Sequence, residues 1–343
     1  MPEELIQEIQ ARIEKLERAE SNLTAKEREL REREMKLIER ENTLEQQLLS
    51  VSLLKRCATA HPFSKGIHTQ RTVLSSDVTA EVSKSVGLIH INGQPIATGF
   101  RVGDNFIATC VHVIGSVIIK DNPHVINCDR IAIEFERKVC NMKEDPDKIF
   151  RFQPTVAYID EEFQFVVLEL SIHSNGVPFP PPLICFGDIK TSDAIHLVGH
   201  PGRKQMMEDS DIIPKWSPDH DKEINPYIRA LAEWSKECLP KSNGVKIDYY
   251  SFLLAPPRKI IFHTFFNEGS SGSPGVTIRD EKPCVVLMIE GGTPYSLDTI
   301  PISALLVEDW CKVEYGFAMS DIYKKMLNSP QKSLASNIFR EII

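Results

Sequence analysis

The chain has 343 residues, 42% of them hydrophobic and 26% charged, with 40 basic against 48 acidic side chains for a formal net charge of −8. That is ample apolar material for a large core, and the acidic balance gives no general attraction to nucleic acid. The sequence holds no apolar run of about 18 residues and no apolar leader, so neither a membrane span nor secretion is expected.

Residues 1–50 read as a first unit. Ile9, Leu16, Leu23, Leu30, Leu37 and Leu44 recur every seventh position, charged side chains fill the intervals, glycine is absent and the only proline is Pro2. This pattern predicts one long helix. Positions four further on are Ile13, Glu20, Glu27, Glu34, Glu41 and Leu48, so the second seam is apolar only at its ends. Pairs such as Glu14 with Arg18 and Glu32 with Lys36 support the helix by a few tenths of a kcal/mol each. A coiled-coil homo-oligomer is the expectation, with a solitary solvated helix as the alternative. Residues 51–82 carry no clear periodicity and read as a linker or strap.

Beyond the linker the pattern changes to short strands. Ala97–Val102 and Phe106–Cys110 read as a hairpin turning at Gly103-Asp104-Asn105, which delivers His112 at its end. A histidine there is a candidate base, since its charge changes near neutrality. Phe163–Leu170 is a mostly apolar run of strand length, expected to be buried on both faces. The stretch from Met206 to Val245 is irregular and contains four prolines around one helix, Pro226 to Cys238; a surface loop or an inserted lid are both open. In Gly269-Ser270-Ser271-Gly272-Ser273-Pro274, small residues crowd one serine where the backbone must turn sharply, which suits a nucleophile beside an oxyanion hole or, alternatively, a flexible turn. Cys284–Thr293 is a further strand, a helix is expected over Ser320–Leu327, and residues 328–343 read as a tail. The eight cysteines include no Cys-x-x-Cys pair, which argues against a zinc ribbon and a disulfide framework and for a reducing compartment. Neither a metal nor a cofactor is expected.

The order of these stretches carries a resemblance. A histidine after a hairpin, an apolar strand with an acid at its head, and then G-x-S-G-x-P is the chain order of chymotrypsin-fold serine peptidases. Over residues 83–325 the sequence resembles most the intracellular trypsin-like peptidases called "family with sequence similarity one hundred and eleven", with HtrA peptidases a more distant comparison. Ser85–Leu88, Ala108–Ile114, Leu197–Pro201 and Phe265–Pro274 carry the likeness. It implies a mainly β, double β-barrel domain over residues 83–327, behind the N-terminal helix, that cleaves protein or peptide substrates without a cofactor. It also implies an intracellular setting, cytoplasmic or nuclear. Ser271 would be the nucleophile and His112 the base, with the Gly269 and Ser271 amides forming the oxyanion hole. The position of the triad acid falls on Gln164, an uncharged residue; Glu162 and Asp160 are the nearby carboxylates that could stand in. Gly291 and Gly292 would admit a substrate side chain, and Phe265 would lie at the pocket base, favouring an apolar or aromatic side chain. Because of Gln164, a pseudopeptidase that binds chains without efficient cleavage and a coiled-coil adaptor stay open beside the enzyme.

Overall fold

Asn92 and Gly93 both adopt positive φ, 54° and 74°, the conformation of a two-residue turn whose twist matches that of the strands it joins. It connects β1 (Val86–Ile91) to β2 (Gln94–Val102), the first hairpin in this computed structural model, which describes residues 10, 12, 15, 26, 30–37, 73–138, 145–190, 193–214, 220–238, 248–293 and 312–342. The expected second hairpin follows. Gly103, with φ 53°, turns β2 back into β3 (Phe106–Cys110), and Phe100 pairs with Ala108.

Five further strands complete the first sheet: β4 (Ile118–Ile119), β5 (Asn122–Ile126), β6 (Ile131–Phe135), β7 (Ile149–Asp160) and β8 (Phe165–Leu170). Its order is β4-β5-β7-β6-β1-β2-β3-β8, and β7 also pairs with β8. That last pairing closes six strands into a barrel and removes their open edges. As the unbroken apolar run predicts, Phe165, Val166, Val167 and Leu168 are all fully buried.

The second sheet runs β11 (Met207–Ile212), β10 (Ile195–Gly199), β13 (Pro274–Arg279), β14 (Lys282–Thr293), β15 (Val313–Ala318) and β12 (Ile260–Phe262); the short β9 (Cys185–Phe186) pairs with β14. The mainly β, double-barrel architecture expected from the motifs is therefore present. The core of the first barrel continues without a break into Val198, Val276, Val285, Met288 and Phe317 of the second sheet. The two halves thus share one buried seam, and burial of each such side chain contributes about 1.5–3 kcal/mol.

Helices close the molecule at three places. α1 (Val73–Val82) lies inside the stretch expected to be a linker; it buries Val78 and Val82, and Ser75 Oγ bonds the ring of His196 on β10 at 3.4 Å. α2 (His220–Cys238) starts six residues ahead of the expected helix. Its Tyr227, Ile228, Leu231 and Trp234 form a separate small core with Tyr250, Leu253, Ile261, Val313 and Tyr315, so the region is packed against β12 and β15 and is not a loose loop. α3 (Met319–Leu327) matches expectation.

The C-terminal stretch expected to be a tail is ordered as α4 (Lys332–Ile338) and β16 (Glu341–Ile342), which pairs with β9. Of the N-terminal helix, residues 30–37 are helical with Leu30 and Leu37 exposed; the rest of the expected coiled-coil seam lies outside the described residues. Among the described residues no helix is long and apolar enough to cross a membrane. Cys110, Cys185 and Cys284 are buried as free thiols.

Candidate active site

The nucleophile loop is fixed by its glycines. Gly269 and Gly272 have φ of 93° and 84°, a region that side chains with a Cβ rarely adopt. A Cβ on Gly269 would stand 2.6 Å from the His200 carbonyl, and one on Gly272 would overlap the Thr98 carbonyl and the Thr109 hydroxyl. The loop is therefore pressed against both barrels. Of its three serines, Ser270 and Ser273 are buried at 3% and 0% exposure, while Ser271 is partly open to solvent. Of the three, only Ser271 is open to solvent.

Thr98 on β2 organises this contact. Its amide donates to the Ser271 carbonyl at 3.0 Å, its hydroxyl donates to the Gly269 carbonyl at 2.9 Å, and the same hydroxyl accepts from the His200 amide at 3.0 Å. Thr109 on β3 donates to the Thr98 carbonyl at 2.8 Å. With the Gly269 carbonyl held, the neighbouring amides keep their direction. The Gly269 and Ser271 N–H groups donate to no acceptor among the described residues, as the donors of an oxyanion hole must in the absence of substrate.

His112 sits in a single helical turn, Val111–Ile114, directly after β3. Gln164 holds that turn. Its carbonyl accepts from the Val111 amide at 2.9 Å, and its side-chain oxygen accepts from the His112 amide at 3.2 Å. Its amide nitrogen donates to the Glu161 carbonyl at 2.9 Å. Gln164 thus anchors the backbone of His112 and makes no bond to the ring. The two nearby carboxylates are engaged elsewhere: Asp160 accepts from the Glu162 and Phe163 amides and the Tyr158 hydroxyl, and Glu162 pairs with Lys325 at 2.6 Å.

The carboxylate beside the ring belongs instead to Glu290, whose Oε1 lies 3.8 Å from His112 Nδ1. The Glu290 side chain is 13% exposed and that of His112 is 42% exposed. The residue before it, Ile289, joins the parts of the site. Its carbonyl accepts from the Gly272 amide at 2.9 Å and from the Cys110 thiol at 3.2 Å, and its amide donates to the Ser273 carbonyl at 3.0 Å. Burial, reinforced by the Glu290 charge, pushes the Cys110 thiol well above its usual range, so it remains protonated and able to donate. Ser271 and His112 are therefore brought to the same seam, although they make no hydrogen bond with one another.

The residues expected to govern specificity divide. Gly291 and Gly292 are partly open at the end of β14, paired with Tyr315 and Glu314. A Cβ on Gly292 would stand 3.4 Å from the Glu314 carboxylate, an acid that the sequence reading did not place there. Phe265 is 79% exposed, with its amide bonded to Asp209 at 2.9 Å; a ring so open to solvent does not close the bottom of a pocket. Sequence reasoning also passed over Thr98, Thr109 and Glu290. The one available signal for Glu290 was an acid interrupting an apolar strand just before two glycines. Among the described residues no cluster of side chains could hold a metal ion.

No protein-family model matches the chain, and no curated protein matches it. Solved structures do. The Rv3671c protease from M. tuberculosis in its active form aligns with a TM-score of 0.41 and 15% identity over 77% of this chain and 91% of that one. An inactive form of the Rv3671c protease gives 0.41 and 14% over 75% and 94%.

Proposed function

We propose that this chain is a serine endopeptidase of the intracellular trypsin-like type that its motifs resemble. The observation that carries the reading is the nucleophile loop: one accessible serine, two unengaged amides beside it, and bonds from that loop to Thr98 on β2, whose carbonyl is in turn held by Thr109 on the strand that precedes His112. In the reaction, Ser271 Oγ attacks the scissile carbonyl of a protein or peptide while His112 Nε2 takes the hydroxyl proton. The Gly269 and Ser271 amides stabilise the resulting oxyanion, each such donor contributing about 3–4 kcal/mol. Collapse expels the amine, which leaves with the proton from His112, and water hydrolyses the acyl ester by the same sequence of transfers. The substrate would lie along the end of β14 with a side chain entering beside Gly291 and Gly292.

A fluorophosphonate probe tests this on the full chain. Labelling of the wild-type protein that disappears in Ser271→Ala is the expected outcome; a folded wild-type protein that does not label removes the reading. The pseudopeptidase alternative has one observation in its favour, namely that Gln164 stands at the acid position and bonds the His112 amide, leaving the ring without a charged partner from that strand.

A further inference from the structure

Glu290 occupies an irregular point of β14. Ile289 pairs with Gly316 and Gly291 with Tyr315, so Glu290 is the extra residue of a β-bulge between them. A bulge leaves one residue unpaired and re-aims its side chain, which is why such irregularities recur beside active sites. Here the re-aimed side chain meets Nδ1 of His112, the ring nitrogen opposite the one that must exchange a proton with serine. A carboxylate on the serine side would compete for that proton; one on the Nδ1 side orients the ring and stabilises the imidazolium.

Among the described residues no hydrogen bond and no second ion pair engages this carboxylate, although Lys259 and Cys110 feel its charge. Three titratable groups surround it: His112, the Cys110 thiol and Lys259. Cys110 donates to Ile289. Lys259 directs its ammonium at the Ala255 and Pro257 carbonyls, at 3.1 and 3.3 Å, and lies near the Phe252 and Phe317 rings. His112 is the one ion-pair partner of Glu290 among the described residues. At 3.8 Å the pair is about 1 Å longer than a charge-assisted hydrogen bond, and catalytic contacts commonly tighten when substrate binds.

We propose that Glu290, carried on the β14 bulge, is the carboxylate that orients the His112 ring and stabilises its protonated form, in place of an acid at Gln164. The inference rests on the peptidase reading, and its test separates the two. Wild-type, Glu290→Gln, Glu290→Asp and Ser271→Ala proteins are labelled with a fluorophosphonate at several concentrations to resolve the maximal inactivation rate from probe binding. In Glu290→Gln the maximal rate falls by about a hundredfold or more with probe binding unchanged, and Glu290→Asp retains an intermediate rate. Ring nitrogen NMR of His112 provides a readout that packing alone does not move: Nδ1 carries the proton in the wild type and loses it to Nε2 in Glu290→Gln. Labelling of Glu290→Gln within about threefold of wild type, with Ser271→Ala silent, overturns the role of Glu290 and leaves the peptidase reading intact. If the wild type does not label, the peptidase reading fails, and the ring tautomer alone decides the pairing: an unchanged tautomer in Glu290→Gln overturns it. Should Glu290→Gln not fold, Glu290→Asp carries the same comparison, and wild-type labelling rate and tautomer in that variant overturn the proposal.

Discussion

His200 shows how one side chain outside the reacting groups sets the conditions under which the site exists. It is fully buried, its Nδ1 donates to the Lys204 carbonyl at 2.8 Å, and its own carbonyl accepts from the Arg203 amide behind the nucleophile loop. Burial lowers its pKa to about 4, against the weaker opposing effects of the Lys204 carbonyl and the Glu134 charge. The sign follows from linkage. Above the ordinary histidine value of 6.5 both folded and unfolded chains hold it neutral and the full stability is present. Between 6.5 and about 4 only the unfolded chain takes up the proton, so stability falls with pH, by roughly 3 kcal/mol in all. Urea unfolding at pH 7.5, 6 and 5 should show wild type losing more stability on acidification than His200→Gln; parallel losses would refute the assignment. At this scale the sequence singles out Ser271, His112 and Gly269 as candidates, because each lies in a short motif. Glu290 was not identifiable in the same way. Its position beside the ring depends on a register slip between β14 and β15, and no local pattern encodes a slip.

At the scale of elements, the C-terminal helix and strand show what a motif-led reading overlooks. Ala335, Ile338 and Phe339 are buried, and the Phe339 ring packs edge-on to Phe186 at 4.8 Å and against Tyr323 at 5.1 Å. The Glu341 amide donates to the Ile184 carbonyl at 3.1 Å, while Asn337 and Arg340 grip Asp104 in the β2–β3 turn. The segment therefore ties the connection between the barrels to the hairpin that delivers His112. Phe339→Ala should lower stability by about 3–5 kcal/mol, as expected for a large ring removed from a packed site, seen as a fall in thermal midpoint; a midpoint within a degree or two of wild type would show the segment to be dispensable. The apolar spacing of Leu334, Ala335, Ile338 and Phe339 is helical and was present in the sequence, but seven residues of weak pattern do not outweigh flanking polar residues. The hairpins and β8, by contrast, were readable because strong alternation or unbroken apolarity coincides with glycine turns.

For the whole molecule, the double barrel carries the seam and the candidate site, and the N-terminal segment stands apart from both. We propose that residues 1–50 join copies of the chain through the leucine stripe. Their removal should leave the barrels folded and convert an oligomer to a monomer in light scattering; an unchanged mass would defeat the coiled-coil reading. The barrels cannot be divided in the same manner. The Ile289 carbonyl receives one bond from the loop of Ser271 and another from the strand of His112, so a single oxygen of the second barrel registers whether the first has closed against it. A chain with only one barrel formed has a serine or a histidine, but no pair. On the peptidase reading proposed above, a newly made copy would be chemically harmless to its neighbours until its two halves have found each other.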